Sequence, residues 1–153
     1  MTWLPLTPDD ILSQTTLRER DDFSKTSPGV AVPDRLLPIL TNLVAEVRGN
    51  IASHSGATLS ADPLLIPPAF MAHAIAIGRW RMLTSIPGYN PGESRKLDYE
   101  TAVTFFRDVA KGINRPEAAA DATTPSVPSA ALSNVEIVSA PGSRTGRARM
   151  DGI

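Results

Sequence analysis

The 153-residue sequence contains no cysteine and only two histidines. The lack of cysteine excludes disulfide bonds, iron–sulfur clusters and thiol catalysis, and two histidines leave few ligands for a zinc or haem site. Catalytic motifs are missing as well. The chain has no Gly-rich phosphate loop ending in Gly-Lys-Ser/Thr, no nucleophile elbow and no His-Glu-x-x-His. We therefore expect a protein that is not an enzyme and that needs no metal or cofactor.

An excess of one charge sign is also lacking. Fifteen basic residues face sixteen acidic ones, which gives a formal net charge of −1. The chain as a whole therefore lacks the net positive charge that would attract nucleic acid or an anionic membrane. The start has no basic segment followed by an apolar one, and the most apolar stretch, 66–86, carries His73, Arg79 and Arg81. We expect neither a secreted precursor nor a membrane span.

Apolar residues at helical spacing predict an all-α fold, and most of the fourteen prolines punctuate it. The predicted helices run from Pro8 to Gln14, Pro33 to His54, Ile66 to Ser85 and Ser94 to Gly112. The third is apolar nearly all round and rich in small residues, so it should be the central helix. The charged run at 18–22 is interpreted as a solvated face leading into a loop.

The composition changes after the last predicted helix. Residues 116–141 are mostly Ala, Ser, Thr and Pro and cannot bury enough apolar surface to fold alone. The chain is therefore divided into a helical core, 1–113, and a flexible or extended C-terminal arm, 114–153. Truncation after Arg115 should then leave the core folded and its thermal unfolding nearly unchanged.

Two features of the arm are candidates for binding a partner. One is a short strand-like run that contains Val135, Ile137 and Val138. The other is a basic cluster formed by Arg144, Arg147 and Arg149. A basic tail is about equally often just a solubilising segment.

The remaining titratable residues show no catalytic set. His54 lies at a predicted helix end, and His73 is expected to be a core or interface histidine rather than a base or ligand. Arg79 and Arg81 flank Trp80 and are expected to pair with acids or with a neighbouring subunit rather than to stack on bases. Adjacent acids such as Asp9-Asp10 serve helix capping, so we assign no acid–base dyad.

The order of several segments resembles the head–tail connector proteins of tailed bacteriophages, and in particular small Mu-like prophage connector proteins. The segments are Glu46-Val47-Arg48-Gly49-Asn50-Ile51, Ala76-Ile77-Gly78-Arg79-Trp80-Arg81-Met82-Leu83 after Pro67-Pro68, Tyr99 to Phe106 with Ala110-Lys111-Gly112, and Val135 to Pro141 followed by the arginines. The likeness covers about three quarters of the chain. The sequence departs from the pattern in its long 85–94 connection and its sparse N-terminal acids.

This resemblance implies a bundle of four to five helices that assembles as a ring, typically of twelve copies, in the neck of the virion. The ring sits on the portal protein and joins the DNA-filled head to the tail through a tail-completion or tail-terminator protein. Genome DNA passes through the channel without sequence-specific binding, and assembly takes place in the bacterial cytoplasm. No membrane, cofactor or metal is implied.

A helical DNA-binding module is the alternative, with Arg79, Arg81 and the C-terminal arginines on phosphates. A pI near 6.1 and the lack of a basic face speak against it. An enzyme comes third, because no convergent set of titratable residues is visible.

Overall fold

The computed structural model describes residues 2–53 and 58–121, and within them the fold is an all-α bundle, as predicted. The elements in chain order are β1 (Leu4–Pro5), α1 (Pro8–Ser13), α2 (Leu17–Lys25), α3 (Val32–Ala52), β2 (Leu65–Ile66), a 3-10 turn (Pro68–Phe70), α4 (Met71–Thr84) and α5 (Gly92–Ala110).

The helix predicted to be central is α4, and it packs against α1, α3 and α5. Small residues allow the close approach, as the sequence predicted. A Cβ placed on Gly78 would overlap the end of the Ile11 side chain and would lie 3.4 Å from Leu43 Cδ2. Glycine therefore allows α1 and α3 both to approach α4 here, and any larger residue would have to displace the end of the Ile11 side chain.

The charged run 18–22 belongs to a helix, so the interpretation as a solvated face before a loop was incomplete. A capping box starts α2, since Thr16 Oγ1 accepts from the Glu19 amide at 3.2 Å and Glu19 Oε2 accepts from the Thr16 amide at 2.7 Å. Phe23 anchors the helix in the core, with the Arg35 guanidinium 3.9 Å from its ring centroid. Only the outer face of the run is solvated.

The third predicted helix starts later than expected. Leu65 and Ile66 form the antiparallel partner of Leu4 and Pro5 in a two-stranded ribbon, and the α-helix begins only at Met71. The Pro67-Pro68 pair explains the shift, because a residue that precedes a proline is disfavoured in the α region.

The described part of the predicted arm lies against the helical core. After Gly112, which ends α5 at a φ of 76°, the chain returns to the N-terminal ribbon. There the Trp3 indole Nε1 donates to the Glu117 carbonyl at 3.2 Å, Ala119 is buried, and Ser60 Oγ lies 2.6 Å from Asp121 Oδ2. Residues 117–121 thus contribute to the core.

Candidate functional site

An open groove runs along the antiparallel pair α4 and α5. Its apolar lining comes from Met71, Ile75 and Ala76 on α4 and from Leu97 on α5, and its volume is about 810 Å³. Leu97 is 65% exposed, which is high for a leucine on a helix next to other apolar residues. Concave apolar surface of this kind is typical of a binding site for another chain or a ligand.

One end of the groove is ionic. Arg79 is buried, and its guanidinium donates to the Gln14 carbonyl at 3.0 Å and to Asp98 Oδ2 at 2.8 Å. Arg95 approaches the buried Glu19, with 3.4 Å between Nε and Oε1. Burial lowers the pKa of Arg79, and the positive charge of Arg95 lowers it further. The groove therefore has an apolar floor and, at one end, two neighbouring arginines that are each paired with a carboxylate.

Stacked aromatic rings hold α4 to α5 beside the groove. The His73 and Phe105 rings stack with 3.9 Å between centroids, and Trp80 stacks on Tyr99 at 5.1 Å. Burial lowers the pKa of His73, which favours the neutral ring. His73 thus packs at a helix interface, as the sequence predicted.

The two arginines of the DNA-binding alternative are both bound to carboxylates. Arg79 pairs with Asp98, and Arg81 pairs with Glu46 on α3. The expectation that they pair with acids is confirmed. His54 and the predicted arm residues lie outside the described part of the chain; the arm residues are Val135, Ile137, Val138, Arg144, Arg147 and Arg149.

Sequence reasoning missed several residues of this site. Glu19 on α2 pairs with Arg95 on α5, and Asp98 on α5 pairs with Arg79 on α4, so no local spacing relates the partners of either pair. The capping box starting at Thr16 was the one available signal for Glu19. Trp3 was missed as well, because its partner Glu117 lies 114 residues away in the sequence.

Three absences apply to residues 2–53 and 58–121. No group of three or more His, Asp or Glu residues there is placed to hold a metal ion, and every buried side-chain nitrogen or oxygen has a hydrogen-bond partner. None of the helices in these ranges is long and apolar enough to cross a membrane. No protein-family model, curated protein or solved structure matches the chain.

Proposed function

We propose that this protein is a structural component of a tailed bacteriophage, a head–tail connector that forms a ring on the portal and joins the head to the tail. One observation carries the proposal. The three helical segments that resemble connectors lie on α3, α4 and α5, and these three helices pack against one another. The resemblance therefore falls on the structural centre of the molecule rather than on scattered surface positions.

A ring also needs two different surfaces, because each copy presents one surface to the preceding neighbour and another to the following one. The α4–α5 groove is one apolar surface. Val30, which precedes α3, and Leu37, within α3, are both about half exposed and are candidates for the second surface. These two surfaces support the proposal without fixing the number of copies.

The arm supplies further contacts in the proposed assembly. Val135, Ile137 and Val138 contact an adjacent connector or portal subunit, and the arginine cluster that begins at Arg144 lies against acidic protein surface. The near-neutral charge of the chain suits a DNA channel, since a strongly basic lining would hold phosphates during genome passage. The proposed location is the virion neck.

The test is reconstitution with the portal protein from the same phage. Purified full-length protein is mixed with portal rings and viewed by electron microscopy, and we expect a second ring stacked on the portal. A chain truncated after Asp121 serves as the comparison and should attach weakly. Failure of the full chain to attach would contradict the proposal. Tight, salt-sensitive binding to double-stranded DNA in place of portal binding would favour the alternative module.

A further inference from the structure

We propose that the α4–α5 groove is the acceptor for the arm segment Val135–Val138. In the connector ring the segment comes from the adjacent copy, and this part of the inference rests on the proposed function. The binding of the segment to the groove does not, since it follows from the chemistry of the two surfaces and from the reach of the chain.

The segment and the groove are complementary in chemistry. In an extended conformation, Val135 and Ile137 project to one side and Glu136 to the other. The two apolar side chains match the floor formed by Met71 and Ile75. Glu136 then points away from the floor, toward the edge of the groove, which we call the rim. At the ionic end the rim includes Arg95.

Arg95 is the rim cation best placed for this carboxylate. It is partly exposed and contacts Glu19 through Nε, while a guanidinium carries five N–H donors. Donors therefore remain for a second carboxylate.

The length of the segment fits the length of the groove. This side of the groove extends from Pro68 in the 3-10 turn to Arg79 on α4, a length of about 18 Å at 2.0 Å per residue in the turn and 1.5 Å per residue in the helix. Four extended residues span about 13 Å and fit within it.

The last described residue, Asp121, is linked by side-chain contacts to the segment that leads into the groove. Asp121 is held by Ser60, and the Arg48 guanidinium joins the carbonyls of Ser60 and Leu65 at 2.8 and 2.9 Å, three residues before Pro68. The fourteen residues from Asp121 to Val135 span at most about 50 Å. The segment can therefore reach a groove on a copy that packs directly alongside.

The two-stranded ribbon is a poorer acceptor, although an added strand would be the usual way to bind an extended segment. On β1, Pro5 has no N–H to donate. On β2, the Leu65 N–H already donates to the Asp62 carbonyl, and the Leu65 carbonyl accepts from Arg48. Both strands of the ribbon are thus short of free backbone groups.

Peptide binding tests the docking itself. A fluorescent peptide of residues 131–140 is titrated with full-length protein whose own segment carries Val135→Ser and Ile137→Ser, and anisotropy is recorded. We expect saturable binding that weakens about fivefold or more with Leu97→Ser in the groove. The control variant Ile113→Ser, at an exposed residue after α5 that does not line the groove, should leave binding unchanged. A Glu136→Lys peptide should bind more weakly. No binding, or equal binding by the Leu97→Ser and Ile113→Ser proteins, would overturn the proposal.

Disulfide cross-linking tests whether the segment of one copy binds the groove of another. Because the native sequence has no cysteine, each introduced cysteine is the only thiol in its chain. Full-length Ala72→Cys and Ile137→Cys proteins are mixed with portal and oxidised, so a disulfide between groove and segment can form only between two chains. We expect a mixed dimer, and none when the exposed Thr84→Cys replaces Ala72→Cys. Absence of the mixed dimer in assembled rings would overturn the exchange. Peptide binding without portal rings would instead leave the docking intact and contradict the proposed function.

Discussion

Truncation after Arg115 is expected to destabilise the helical core, whereas truncation after Asp121 is expected to leave its stability nearly unchanged. The two truncations differ by six residues. Those residues include Glu117, whose carbonyl accepts from the Trp3 indole, and the buried Ala119. This expectation replaces the one from sequence alone, in which thermal unfolding after the shorter truncation was unchanged.

The magnitude follows from the two buried contacts that are lost, since the Ser60–Asp121 hydrogen bond that is lost with them involves an exposed carboxylate. A buried donor left without a partner costs about 1–3 kcal/mol. Removal of residues 116–121 also opens the site to water, which can satisfy the indole of Trp3 and favours the lower end of that range. The lost burial of the Ala119 methyl adds about 0.8 kcal/mol. The sum is about 2 kcal/mol of unfolding free energy, or a fall in Tm of about 8 °C.

Thermal and urea unfolding, followed by circular dichroism at equal protein concentration, measures the difference. Full-length protein and the chain ending at Asp121 should have the same Tm and the same urea midpoint. The chain ending at Arg115 should have a lower Tm and a lower urea midpoint, with its helical signal intact at low temperature. Coincident unfolding of all three chains would refute the reasoning, because Glu117 and Ala119 would then contribute nothing. A Trp3→Phe variant, which keeps a ring but lacks the donor, should lose most of its sensitivity to the same truncation.

Three further predictions concern single residues. Gly78→Ala should lower stability because the new methyl meets buried side chains, whereas the matched Gly49→Ala in open space should raise it by about 0.5–1 kcal/mol, as urea unfolding will show. Glu19→Gln should cost about 1 kcal/mol by weakening the cap and ion pair of α2, and the exposed Asp21→Asn should cost little in the same assay. Because burial depresses the pKa of His73 in the folded state, stability should fall as pH drops from 7.5 through the unfolded value near 6.5, and His73→Phe should flatten that part of the pH profile.

Sequence analysis predicted the four longer or well-capped helices because their stripes and punctuation are local. Pro8 follows the capping residue Thr7, and Gly112 ends α5 as expected. The helix α2 was not predicted. It has nine residues in a charged stretch, and Phe23 is its one large buried apolar residue. One aromatic residue gives little periodic signal, so the charge pattern dominated the interpretation.

The groove was beyond sequence reasoning for a different reason. Its ionic end joins Arg79, Asp98, Arg95 and Glu19 from three helices, and only tertiary packing brings them together. From the sequence, Arg79 was expected to pair with an acidic residue, but nothing in the sequence indicated that the partner is Asp98. The connector resemblance, which rests on α3, α4 and α5, and the arm residues from Val135 onward stay predictions for the experiments above.

The two tryptophans report on different stages of chain folding. Trp80 stacks on Tyr99, nineteen residues away across one short connection, whereas Trp3 meets Glu117 across 114 residues. Closing the longer loop costs more chain entropy, so local pairing of α4 with α5 is favoured to come first. In stopped-flow refolding of single-tryptophan variants, the Trp80 signal should therefore precede or accompany that of Trp3, and burial of Trp3 should mark the arrival of the last part of the core.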